Sequence, residues 1–254
     1  MKKRLLFCLL LLCIVLSACG AETAKPTEDV TSAEITQTEL VTEPATPWQA
    51  PERGAEVRLL YDETLSFSEE VQCVYQVPLL CSTGGDTDAV NREIEACYTP
   101  LMERVLNGNA PDIAGISYTV CRFRIYTLSL LIRTAHTDGT DSFSVYTLSL
   151  EDGRRLNNEE VLQVVNISME NFLSETRIRA GEYYDSLYAD REQDADYLTQ
   201  RALACGEGAV NADMLMYPDE EGHLMLISPF AAPGSTKARL LIYPLQKEFE
   251  SSLP

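Results

Sequence analysis

The chain has 254 residues, of which 39 are acidic and 20 basic, giving a formal net charge of −19 and a pI near 4.4. That balance argues against nucleic-acid binding and against adhesion to an anionic membrane through a basic patch, because both draw their affinity from clustered Lys and Arg. Two histidines and no dense Cys/His cluster leave little material for a zinc or haem centre. We therefore expect no cofactor and no metal.

Lys2, Lys3 and Arg4 precede an apolar run from Leu5 to Leu16 that turns polar at Gly20 to Thr23. A spanning helix needs about 20 apolar residues to cross roughly 30 Å of hydrocarbon, so the run is too short to stay as an anchor. It reads instead as a secretory signal peptide over residues 1–18. Leu16-Ser17-Ala18-Cys19-Gly20 then resembles the lipobox of bacterial lipoproteins, an aliphatic residue and two small ones before the cysteine. That resemblance implies that Cys19 becomes the mature N-terminus and carries the acyl groups, palmitate among them, that hold the protein on the cell membrane from outside. Two acyl chains anchor stably where one does so only marginally.

Residues 19–55 begin with the lipidated cysteine and continue as a tether. From Gly20 the composition turns to Thr, Glu, Pro and Ala, as in Thr42-Glu43-Pro44-Ala45-Thr46-Pro47, with seven carboxylates against two basic groups. Such a segment buries too little apolar surface to offset its ordering entropy and is expected to be disordered. At roughly 5–6 Å times the square root of its length it holds a domain about 30–35 Å from the membrane. The lone Trp48 falls in this stretch, either exposed, docked on the domain or in contact with a partner.

Residues 56–254 read as one domain that carries 32 acidic and 15 basic side chains. Alternation from Glu70 to Leu80 places Val71, Cys73, Tyr75 and Val77 on one strand face, with Pro78 expected to end or edge it. After Gly84-Gly85-Asp86, residues Val90, Ile94, Cys97, Tyr98, Leu101 and Val105 recur at helical spacing, with Asp88 as candidate N-cap, Gly108 as stop and Pro100 as a kink. Ile116 to Arg124, Ile125 to Ala135 and Phe143 to Leu150 alternate as strands, the last two separated by Asp138-Gly139. Following the turn Glu151-Asp152-Gly153-Arg154, Asn157-x-x-Glu160 has the form of a capping box opening a helix with face Val161, Val165, Met169, Phe172 and Leu173. A short acidic helix, Ala195 to Cys205, precedes strands over Asp213 to Tyr217, His223 to Ile227 and Ala238 to Leu245. Separated blocks of strand and helix predict an α+β fold, an antiparallel sheet packed against a few helices in a single domain.

This succession resembles a known family. Ser129-Leu130 in a strand, Ala135-His136 at its end, Tyr146-x-Leu148-x-Leu150-Glu151-Asp152-Gly153-Arg154-Arg155-Leu156 and a capped helix are similar to the extracytoplasmic domain of the lysozyme-responsive anti-sigma factor. The same domain accompanies a bacterial peptidoglycan deacetylase. Glu221-Gly222-His223-Leu224-Met225-Leu226, Pro229-Phe230-Ala231-Ala232-Pro233-Gly234, Leu241-Ile242-Tyr243-Pro244 and an early Asn91-x-x-Ile94 helix extend the likeness over about Val71 to Leu245. With a lipoprotein leader where the anti-sigma factor has a cytoplasmic segment and membrane helix, direct sequestration of a sigma factor is not expected. Nor does the stretch after Leu245 offer a deacetylase domain. The resemblance implies a free-standing binding or sensing domain for a cationic lysozyme-like protein, or alternatively for peptidoglycan or envelope assembly.

Enzymatic readings find less support. No Gly-x-Ser-x-Gly elbow accompanies His136 or His223, and paired carboxylates for a cell-wall hydrolase are too numerous to single out. No catalytic residue is assigned. Asp190-x-Glu192-x-Asp194-x-Asp196 mimics a calcium loop, but Ala195 and Arg201 stand where Gly and Glu are required. Tyr183, Tyr184 and Tyr188 are candidates for partner contacts or for core edges. Cys73, Cys81, Cys97, Cys121 and Cys205 are odd in number, so with pairing inside the domain at most two disulfides form and at least one thiol stays free. Cys73 and Cys81 stand too far apart along a straight strand to pair with each other.

Overall fold

The computed structural model describes residues 57–66, 72–81, 84–192 and 194–246. The expected signal peptide and tether, with Cys19 and Trp48, lie outside the described residues. Five strands in chain order form the first sheet: β1 (Val57–Ser66), β2 (Gln72–Leu80), β3 (Ile113–Phe123), β4 (Thr127–His136) and β5 (Asp141–Ser149). All neighbours are antiparallel except β2 and β3, which run parallel and pair at Tyr75 and Ile116. A parallel pair needs a crossover, and α1 (Thr87–Leu106) supplies it. The α+β expectation holds, with this one parallel pairing making the sheet mixed. Pro78 sits inside β2 opposite Leu59, where the register shifts between Leu59 and Tyr61. Such a bulge is where a residue without an N–H is tolerated.

Val90, Ile94, Tyr98, Met102 and Val105 form the buried face of α1, while Cys97, expected there, is exposed. The helix runs through Pro100 unbroken. Pro100 and Ala96, whose carbonyl loses its partner, both face outward, so solvent can serve the orphaned oxygen. Asp88 lies in the first turn rather than at the cap. The capping position is Asp86, whose carboxylate accepts instead from Arg155 N at 2.8 Å. Gly108 closes the far end at φ +69, with Gly108 N donating to Val105 O at 3.0 Å and Asn109 N to Arg104 O at 2.7 Å. This is a Schellman motif.

The single helix expected after Asn157 is two, α2 (Asn158–Val164) and α3 (Met169–Tyr188). Asn166 adopts φ +58, a conformation Asn tolerates, and Ser168 restarts the chain as N-cap by accepting from Asn171 N at 3.2 Å. A short 3-10 turn (Ala189–Arg191) and α4 (Tyr197–Cys205) lead to an antiparallel sheet of β6 (Leu215–Pro218), β7 (Leu224–Ala231) and β8 (Ala238–Pro244).

Strand alternation sets the layers. Leu128, Leu130 and Ile132 of β4 pack with α1, while Leu131 on the opposite face packs with Tyr217 and Ile227 of the second sheet. Met216, Leu224, Leu226, Phe230 and Tyr243 leave the second sheet on its far side and bury Phe172, Ala180, Tyr184 and Tyr197 of α3 and α4. The order is therefore helix, five-stranded sheet, three-stranded sheet, helices.

Candidate functional site

Strand β5 is one edge of the first sheet and β6 one edge of the second. Between them opens a cleft of about 480 Å³, floored by Val145, Leu156, Val161, Met169 and Met214 to Met216. Its wall is folded by local chemistry. Gly153, at φ +72, turns the chain back so that Ser149 N donates to Arg154 O and Leu156 N to Thr147 O, each at 2.8 Å. The capping box then starts α2: Glu160 N donates to Asn157 Oδ1 at 3.0 Å and Asn157 N to Glu160 Oε2 at 2.9 Å. That backbone donor, with the adjoining Arg154 guanidinium, holds the Glu160 carboxyl below its ordinary pKa. Asn158 Nδ2 reaches across to Ala212 O (2.7 Å) and Met214 O (3.0 Å), fastening the wall to the start of β6.

The cleft has a mixed polar rim. Arg155 donates to Glu93 at 2.7 Å and lies 5.1 Å from the centre of the Tyr146 ring, so its charge is already matched. Burial pushes the Tyr146 hydroxyl far above its ordinary pKa. Thr147 shares a hydrogen bond with Ser129 Oγ at 3.1 Å. Glu159 and Asp213 are exposed, and neither carboxylate has a partner among the described residues. Neither histidine nor cysteine lines the cleft. An apolar floor with two unmatched negative charges at its rim suits an apolar side chain with a cation beside it.

The other residues singled out in the sequence do not converge on this cleft. His136 meets Ser142 Oγ at 3.3 Å on the β4–β5 hairpin. His223 Nδ1 lies 3.2 Å from Asp219 Oδ2 and 3.3 Å from Glu221 Oε2, three potential metal donors within 4.8 Å of one another on the β6–β7 turn. Asp219 already accepts from the backbone N–H groups of Glu221 and His223, at 2.9 and 2.8 Å, and so shapes that turn. In the acidic stretch Asp194 pairs with Arg191 and Asp196 accepts from Gly234 N at 2.6 Å, so the two carboxylates are committed to different partners.

Of the tyrosines, Tyr184 is fully buried, and Tyr183 stacks on Tyr243 with ring centres 4.8 Å apart. Burial lifts Tyr184 and Tyr243 to about 12. Both belong to the second core, with Tyr183 and Tyr188 half-buried at its edge. All five cysteines of the domain are free thiols, Cys81 and Cys97 exposed and the others half-buried. Burial raises Cys121 to about 11 and also raises Cys205. The cleft itself went unseen in the sequence. The one local signal near it was the Asn157 capping box.

No helix among the described residues is long and apolar enough to cross a membrane. Compared with known proteins, the chain matches no protein-family model, and no curated protein is significantly similar to it.

Proposed function

We propose that the chain is a lipid-anchored, non-enzymatic binding or sensing domain that faces outward from the cell membrane through Cys19 and recognises a cationic protein of the lysozyme kind. The supporting observation is how its charge is arranged. More than half of the basic side chains among the described residues are spent on internal ion pairs, among them Arg104 with Asp112, Arg133 with Asp141, Arg179 with Glu182, Arg201 with Asp185 and Lys237 with Asp138, while Arg58, Arg92, Arg177 and Arg239 are exposed without one. Carboxylates such as Glu63, Glu103, Glu159, Glu175 and Asp213 remain exposed without a cation among the described residues. A surface of this kind draws positively charged proteins and repels acidic ones. The family resemblance names lysozyme as the class to try first.

Two experiments test the halves of this reading. Cells expressing the chain should incorporate labelled palmitate into it, and Cys19→Ser should abolish the label; a label that survives the substitution refutes the anchor. The full chain in detergent should co-elute with a c-type lysozyme in gel filtration at physiological salt. Separate elution would refute lysozyme as the partner and direct the same assay to soluble peptidoglycan fragments.

A further inference from the structure

We propose that the cleft between β5 and β6 is where the cationic partner docks, and that it takes an apolar side chain of the partner flanked by a lysine or arginine. This inference rests on the reading above and assigns it a place. Three features converge there. The floor is apolar and rich in flexible methionine, with Met169, Met214 and Met216 able to adapt to different apolar shapes. The rim carries two exposed carboxylates, Glu159 of α2 and Asp213 of the approach to β6. The cation at the same rim, Arg155, is matched by Glu93 and stacked on Tyr146, so it does not cancel them.

The mode of recognition follows from the edges. An open strand edge invites an extended segment to add as a further strand. Here Asn158 already holds the Ala212 and Met214 carbonyls, and the Arg154–Leu156 stretch covers Thr147 to Ser149 of β5. At these positions, the approach to β6 and the last three residues of β5, the partner is read by its side chains.

The test is titration of the full chain in detergent with a c-type lysozyme at physiological salt, comparing wild type with Glu159→Lys/Asp213→Lys and with Glu63→Lys/Glu103→Lys. The second pair makes the same charge change on β1 and α1, remote from the cleft, and all four residues are exposed. Cleft docking predicts at least tenfold weaker binding for the first pair and less than threefold for the second. The isosteric pair Glu159→Gln/Asp213→Asn should show part of the larger loss. Equal weakening by both lysine pairs, or no weakening by the first, overturns docking in the cleft while leaving lysozyme as the partner. Absence of binding by wild type overturns the partner and the docking site together.

Discussion

The backbones of Gly85 and Gly153 lie against each other so closely that a β-carbon on Gly85 would stand 2.2 Å from both the carbonyl carbon and the oxygen of Gly153. Asp86 N donates to Gly153 O at 3.0 Å, and Asp86 Oδ2 receives Arg155 N at 2.8 Å. Two turns, one opening α1 and one building the cleft wall, are thereby joined backbone to backbone. Contact of this sort is open only to residues without a side chain.

Gly85→Ala should therefore cost about 3–5 kcal/mol, since neither turn can retreat without breaking these bonds. Gly108 offers the internal control, with a similar φ of +69 but open space where a β-carbon would go. There alanine should cost only the left-handed backbone penalty of about 1–2 kcal/mol. Urea denaturation of both variants checks the difference, and equal losses would show that the contact is not tight.

Asp185 connects α3 to α4. It accepts from Arg201 Nε at 2.6 Å and Nη2 at 2.7 Å and from Tyr197 OH at 2.6 Å. The Arg201 bonds foremost, assisted by Tyr197, hold its carboxyl below the ordinary range. A carboxylate whose pKa is lowered by folding stabilises the protein above its unfolded pKa of about 4, and that stability is lost as pH falls through the folded value. Wild type should thus lose more stability between neutral pH and about pH 3 than Asp185→Asn does. Identical acid losses in the two proteins would contradict this role.

Tyr184 is fully buried and its hydroxyl has no hydrogen-bond partner among the described residues. An unsatisfied buried hydroxyl carries a desolvation penalty of about 1–3 kcal/mol. Tyr184→Phe should leave thermal stability unchanged or raise it, by up to about 1 kcal/mol. A clear drop in melting temperature would mean that the hydroxyl is bonded in solution.

Local patterns in the sequence carried much of this fold, and non-local ones did not. The α1 face, the β4–β5 hairpin and the Asn157 capping box are each set by residues close together in the chain. β1 went unrecognised because its burial follows no alternation; it is defined by pairing with β2. The second half of α3 was equally silent. Before Tyr184 its buried positions are Ala180 and Gly181, preceded by Thr176, small or polar residues that leave no hydrophobic period. Gly181 in particular is pressed by the Arg201 guanidinium, 2.8 Å from where a β-carbon would lie. The cleft needs two sheet edges distant in sequence, and before folding Glu159 and Asp213 are two of 39 acidic side chains with nothing to mark them.

The thiols give a further check. With Cys81 and Cys97 exposed and Cys121 half-buried and shifted to about 11, a thiol reagent at neutral pH should modify Cys81 and Cys97 first and Cys121 only on unfolding. All five should titrate in urea when Cys19 is acylated. Finding fewer than five would reveal a disulfide and contradict the free-thiol arrangement.

The measurement closest to the central claim is a calorimetric titration of the full chain in detergent with a c-type lysozyme, at low and at physiological salt, beside an unrelated protein of equal positive charge. Specific recognition predicts saturable lysozyme binding that persists at physiological salt and exceeds the control. Binding that vanishes with added salt and equals the control at low salt would reduce the interaction to bulk charge attraction and contradict the proposed function.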